Sequence, residues 1–268
     1  MILLRRGLSC RFRAWGVLAL VLHQARYDMR AFMRNKQGRY FTLILPLVLL
    51  VVFVSVGVGG KTVGPNHVAS SVYFVPGLSA LAVVAASFVN LVISITEQRE
   101  AGVLKRRRAT PVPALVLITG RTLTSIGVSL LTLTMLLAVG HYAYGVPLSA
   151  ATIPAVAVTA IFGSAAFCVL GYALSTRIGS ADAAQPIVQA IMLPLYFISG
   201  VFVPSINLPG WLQHVAEIFP VEHLAHGLRH AYAPGGSVVW SDLAILAAWA
   251  TAGLALAVRS FSWAPTVS

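Results

Sequence analysis

The sequence predicts an all-α integral membrane protein with six transmembrane helices. Hydrophobic residues make up 58% of its 268 residues, charged residues only 10%, and mean hydropathy is +0.84. Soluble domains average about 45–50% apolar and about 25% charged, so this composition argues against a soluble enzyme and excludes disorder. Six apolar blocks each approach the roughly 20 residues that a bilayer-crossing helix needs. The cations fall almost wholly on one side of those blocks.

Residues 1–39 form a segment of their own. Ala14–Leu22 is apolar and follows Arg5, Arg6, Arg11 and Arg13, which imitates a signal core. No small-residue cleavage site follows it, so no cleavable leader is expected. Trp15, Leu18, Leu22, Ala25, Met29 and Phe32 recur at spacings of three and four, which makes one helical face. Arg26, Arg30 and Arg34 run beside that face at i, i+4. An amphipathic helix lying on the cytoplasmic leaflet, its arginines near anionic headgroups, fits this pattern. A soluble helix packed on protein is the other reading.

Residues 40–268 hold the spans, expected at Tyr40–Gly59, Phe74–Thr96, Leu115–Val139, Ala151–Leu174, Pro186–Val203 and Val238–Val258. Pro46, Pro76, Pro154, Pro186 and Pro194 fall within or at the start of spans, and each can kink its helix. Sixteen cations lie before the first span, in the second-to-third and fourth-to-fifth connections, or after the sixth span. The opposite loops hold only Lys61 and Arg229. By the positive-inside rule both termini are cytoplasmic, and an even span count agrees. The net charge of +12 therefore reads as topology, with the bilayer as partner and no nucleic acid. Arginine supplies 16 of the 19 cations amid much Ala and Val, which points to a GC-rich bacterial genome. Cys10 and Cys168 are too far apart in context, one near the N-terminus and one inside a span, to suggest a disulfide framework.

Two motifs imitate chemistry. Ser55–Thr62 is one glycine short of a phosphate-binding loop, but it ends a span on the expected outer side, where it opens no cytosolic helix. His223, His226 and His230 share a helical face at i, i+3 and i+7, a spacing that zinc could use. No protease order accompanies them, and an outer interfacial helix with imidazoles toward water is the better reading, so no metal is assigned. Arg121 is the one cation deep in a span, either a snorkelling anchor or a residue of the transport pathway.

The most informative stretch runs from Glu97 to Pro113. Acids Glu97 and Glu100 open it, Lys105–Arg108 follow, and Pro111 and Pro113 stop it. The charge order suits a short cytosolic helix fixed to the end of the second span, a lever. The stretch resembles the Glu-Arg-Glu-x-Gly-x-Leu-Lys-x-x-x-x-Thr-Pro signature of type-two ABC exporter permeases, and among them most nearly the daunorubicin-resistance group. The signature falls on Glu97, Arg99, Glu100, Gly102, Leu104, Lys105, Thr110 and Pro111. A second pattern of the same family is similar to Ser199, Gly200, Pro204, Leu208, Pro209, Trp211, Leu212, Pro220, His223, Leu228 and Arg229.

The resemblance implies a permease subunit of an ATP-driven exporter in the bacterial plasma membrane, not an enzyme. ATP and magnesium would sit on a separate cytosolic ATPase, with no cofactor on this chain. That ATPase would dock on the lever after the second span, through Glu97, Arg99, Glu100, Gly102, Leu104 and Lys105, with Val103 and Leu104 as apolar contact. A second permease, a copy or a paralogue, would complete the exporter. Short re-entrant helices before the sixth span would form an extracellular gate around Ser199, Gly200, Pro204, Pro209, Trp211, Pro220 and His223. Hydrophobic drugs, antibiotics or lipids are the expected cargo, because the spans are read as nearly free of ionisable groups. Polysaccharide or glycolipid export is the rival within the family. A proton-coupled secondary transporter would want acids or histidines within spans, where only Glu97 and His141 are noted, just past span ends. An intramembrane metalloprotease would rest on the histidine face alone.

Reporters fused at either terminus or after Arg106 should be cytoplasmic, and those near Asn66, Gly145 and Gly235 outside. An outside signal after Arg106 would overturn the six-span arrangement.

Overall fold

A computed structural model of the chain describes residues 2–56, 62–63, 68–103, 114–147, 149, 152–202, 208–233 and 235–260. Among them, six helices are long and apolar enough to cross a membrane. These are the first span Lys36–Val56, the second Ser70–Glu100, the third Ala114–Tyr144, the fourth Thr152–Ser175, the fifth Ala181–Ile198 and the sixth Trp240–Ser260. The all-helical expectation holds. The only extended pairing among the described residues is a two-residue ladder, Thr62–Val63 against Val68–Ala69, between the first two spans.

The N-terminal helix, Ile2–Arg34, ends at Asn35. Asn35 leaves helical geometry, and its Oδ1 accepts from the Gly38 amide at 3.0 Å, so it caps the first span. The N-terminal helix lies against the third span. Small residues there, Gly120, Thr124 and Gly127, stand at i, i+4 and i+7 and let the backbones approach. A Cβ on Gly120 would meet the Gln24 side chain at 2.8 Å, and Thr124 Oγ1 donates to the Ala25 carbonyl at 3.1 Å. The packed face is Val21, Gln24, Ala25, Asp28, Met29 and Phe32, while Leu18 and Leu22 of the expected stripe are exposed. The helix thus rests on protein with Ala25, Met29 and Phe32 of that stripe and leaves Leu18 and Leu22 open, while the Trp15 side chain lies outside the described ones.

The second span is the centre of the bundle. Phe74, Val75, Leu78, Ala80, Ala82, Val83 and Val84 are fully buried, covering every face of the helix, which is the signature of an element enclosed on all sides. It touches the first, third and fourth spans and the helix Pro220–Tyr232. Its small residues make this possible: at Gly77 a Cβ would lie 3.2 Å from the Val201 carbonyl oxygen. Both the first and second spans widen into one π-helical turn, at Tyr40–Ile44 and Ala85–Val89, and the two turns touch.

Two boundaries differ from the sequence expectation in ways that matter. The fifth span starts at Ala181 rather than Pro186, because Ser180 caps it by accepting from the Ala183 amide. Its polar first turns hid it from an apolar search. The second span runs on to Glu100, so Glu97 and Glu100 close a membrane helix instead of opening a separate one. The helix stops at Ala101 and Gly102, where Gly102 takes φ +68° and its amide returns to the Arg99 carbonyl. Val103 is helical, and Leu104, Lys105, Thr110 and Pro111 lie outside the described residues, as do Gly57–Lys61 of the phosphate-loop look-alike.

Candidate functional site

A cleft of about 390 Å³ runs between the first, second and fifth spans. One end carries Asn35, Gln37, Glu97, Asp182 and Gln185; the other carries Leu49, Leu81, Tyr196 and Phe202. Each helix contributes the same gradient. Asn35 to Leu49, Asp182 to Tyr196 and Glu97 back to Leu81 are separations of roughly 21–24 Å at about 1.5 Å per residue. The polar mouth therefore lies at the end that holds the N-terminal helix, and the apolar part reaches deep into the bundle. Beside the cleft, the first span exposes Tyr40, Ile44, Val48 and Val51, and the fifth exposes Ile187, Ile191 and Phe197.

The residues of the charged motif divide among three tasks. Glu97 faces the cleft. Arg99 is only 7% exposed, and its guanidinium donates to the carbonyls of Ser175, at 2.9 Å, and Ile178. It thereby satisfies carbonyls left open where the fourth span ends, a favourable place for a cation. Glu100 Oε2 accepts from the Ala181 amide at 2.8 Å, at the start of the fifth span, where an anion is favoured. The last turn of the second span thus grips the fourth-to-fifth connection from both sides. These partners, 76 to 81 residues away, are invisible to local sequence reasoning.

Arg121 donates to Ser94 Oγ of the second span and lines a separate cavity of about 310 Å³ with Asp28, Asn35, Asn90, Gln98 and Val103.

At the opposite end, Ser199 is fully buried and Gly200 takes φ +68°. The Gly200 carbonyl accepts from Tyr73 Oη at 2.9 Å and from Arg229 Nη1 at 3.2 Å. Arg229 also stacks over the Tyr73 ring, 5.7 Å from its centroid, and donates to Glu222 Oε1 at 3.1 Å. A Cβ at position 200 would lie 2.9 Å from Arg229 Nη1, which would have to shift, and the positive φ favours glycine. Pro204 lies outside the described residues. Pro209 precedes the short helix Gly210–Ala216, on which Trp211 is 68% exposed, and Pro220 opens the helix Pro220–Tyr232. Tyr232 Oη pairs with Ser79 Oγ of the second span at 3.0 Å.

The histidine face does not act as a unit. His223 Nδ1 and His226 Nδ1 bond the two oxygens of Asp242, at 3.0 and 2.7 Å, and His230 Nδ1 faces the Ser237 carbonyl. Asp242 is 5% exposed in the first turn of the sixth span. The reading of spans as nearly free of acids overlooked it, although Asp242 lies inside the expected Val238–Val258. The third span likewise runs through His141 to Tyr144. Tyr73 and Asp182 were also missed, because nothing local marks a tyrosine or a helix-start acid as a site.

The Asp242 hydrogen bond holds His226 above the ordinary histidine value, against an opposing effect of burial. Burial pushes Glu222 up as well, opposed by Arg229.

Residues 19–232 match the ABC-2 type transporter family. A relative in Escherichia coli (strain K12), named as a probable multidrug ABC transporter permease, YbhR, is 26% identical over 186 residues, covering 68% of this chain and 50% of the relative. A Bacillus subtilis (strain 168) protein named as a transport permease, YvfS, is 23% identical over 229 residues, covering 84% of this chain and 90% of that protein. The chain spans about half the length of the YbhR relative it matches.

Arg99→Met should lower stability by about 1.5–3 kcal/mol, the range for hydrogen bonds from a charged donor, whereas Glu100→Gln, at an exposed position, should cost less. Thermal unfolding in detergent ranks the two, and a larger loss for Glu100→Gln would contradict the assignment. A second expectation concerns pH. The folded state holds the His226 proton more tightly than the unfolded chain does. That stabilisation is complete below about pH 6.5 and is lost as pH rises through the raised folded value. Glu222 acts in the same direction from a lower starting pH. The unfolding temperature should therefore fall between pH 6 and pH 8.5, and His226→Gln should flatten the decline.

Proposed function

This chain belongs to the ABC-2 type transporter family, and from that premise we propose that it is the membrane-spanning permease of an ATP-driven exporter in a bacterial plasma membrane. The observation that carries this reading is the cleft between the first, second and fifth spans, polar at one end and apolar within. A hydrophobic molecule, a drug or a lipid, is held by the apolar depth while the polar mouth admits it from water. The multidrug name of the YbhR relative supports the drug class. The N-terminal helix and Glu97 then face the cytoplasm, as the cation distribution supports. The exposed half of the N-terminal helix stripe, Leu18 and Leu22, lies on the inner leaflet surface.

Coupling follows from the grip at the second span. A cytosolic ATPase, which binds ATP and magnesium, docks on the segment that begins at Val103. A push there reaches Glu100 and Arg99, three and four residues back, across the Ala101–Gly102 turn. Through them it moves the end of the fourth span and the start of the fifth together with the second, so two walls of the cleft shift as one body. Arg99 and Glu100 act in this scheme by transmitting the movement inside the chain. A second permease covers the exposed apolar faces of the first and fifth spans and closes the cleft into a path. The Tyr73–Gly200–Arg229 junction holds the opposite end shut.

Reconstituted alone, the chain should hydrolyse no ATP. Co-reconstituted with a cognate ATPase, inverted vesicles should accumulate a hydrophobic dye only when ATP is present. In a background lacking Cys10 and Cys168, cysteine at Val103 should cross-link to the ATPase and cysteine at Trp211 should not. Cross-linking at Trp211 alone would reverse the orientation, and ATP hydrolysis by the isolated chain would end the subunit reading.

A further inference from the structure

The charge on the cleft carries an inference about what enters it. The whole chain has only 7 acids against 19 lysines and arginines. Yet two of those acids, Glu97 and Asp182, line the cleft, and no lysine or arginine lines it among the described residues. This holds although Lys36 and Arg39 flank the lining residues Gln37 and Gly38. Of the nearby cations, Arg99 gives its guanidinium to the Ser175 and Ile178 carbonyls, and Arg121 donates to Ser94 Oγ in the neighbouring cavity that shares Asn35 and Asn90 with the cleft. The side-chain amides of Asn35, Gln37, Asn90, Gln185 and Gln189 and the hydroxyls of Thr42 and Tyr196 supply the other polar groups, and they add dipoles without adding positive charge.

We propose that the cleft selects lipophilic organic cations, with Glu97 and Asp182 as specificity-determining residues at its mouth. The inference rests on reading the cleft as the cargo site. The two carboxylates sit on different helices, at the end of the second span and in the first turn of the fifth, so they approach a bound cation from separate walls. Low-dielectric walls concentrate the field of such a pair along the cleft and raise the local concentration of cations over anions. Deeper in, Phe41, Tyr196 and Phe202 offer aromatic rings, which favour a cation over an anion of the same shape. Both acids are exposed at the mouth, so the selection weakens as salt is added.

Tetraphenylphosphonium and tetraphenylborate share a shape and differ in the sign of charge. Equilibrium dialysis of the purified chain in neutral detergent measures both. The cation should bind more tightly than the anion. Glu97→Gln and Asp182→Asn should each weaken the cation about fivefold, the factor expected for one charge at close range in water, and should leave the anion unchanged or improved. Gln185→Glu, which adds an acid to the same mouth, should tighten the cation by a similar factor, a gain that misfolding cannot produce. Equal binding of the two ions, or no response to all three substitutions, overturns the proposal. Vesicle transport separates this from the exporter reading. ATP-driven uptake with no preference for charge keeps the exporter and removes the selection. Charge-dependent binding without ATP-driven uptake of any dye keeps the selection and removes the exporter.

Discussion

The second span is enclosed by protein along most of its length, and its neighbours take their places by contact with it. In a bilayer the backbone must satisfy its own hydrogen bonds, and helices associate by close packing rather than by escape from water. A central helix with four Ala, five Ser and one Gly answers both demands. Ser79 and Ser87 return their hydroxyls to carbonyls four residues back, so they are buried without penalty. Gly77 lets the Val201 backbone come close, and Gly171 of the fourth span approaches Phe88 and Leu91 in the same manner. The fourth span then seats the sixth through Gly253, where a Cβ would meet Leu170 at 2.9 Å. The order of contact runs outward from one helix.

The ends of that helix are where it becomes more than packing. At one end Glu97, Arg99 and Glu100, three residues of a single turn, reach the cleft, the fourth span and the fifth span in turn. At the other, Tyr73 and Ser79 reach the Gly200 junction and Tyr232. The charge pattern that looks in sequence like one docking surface is thus divided by helical geometry, since successive residues on a helix point about 100° apart. Glu97 stays open at the cleft, while Arg99 and Glu100 are engaged inside the chain.

Hydropathy made the six spans legible, because apolar length is a local property that survives in any context. The permease family was legible for a similar reason, its motifs being short and contiguous. Boundaries failed where a span begins with polar side chains, as at Ala181–Gln185, since those residues line a cleft instead of lipid. The Asp242 pairing with His223 and His226 spans 16 to 19 residues and two helices, and the partners of Arg99 and Glu100 lie still farther off. Such contacts depend on which helices become neighbours, which single-residue spacing does not encode. The packing face of the N-terminal helix was legible in part: Ala25, Met29 and Phe32 pack and Leu18 and Leu22 do not, and Gln24 joins the packed face where Gly120 leaves room for a polar side chain, with Asp28 beside it.

The junction at Gly200 also sets a schedule for the growing chain. Tyr73 leaves the ribosome 127 residues ahead of the carbonyl it will bond, and Arg229 follows 29 residues after that carbonyl. At about 5–20 residues per second, the tyrosine waits roughly 6–25 s for its acceptor. Through that interval its hydroxyl must bond water or lipid headgroups at the membrane surface, which keeps the early end of the second span near the interface. The junction therefore closes late, once 229 of the 268 residues have been made and before the sixth span follows, and a nascent chain halted before residue 229 would carry an unlocked second span.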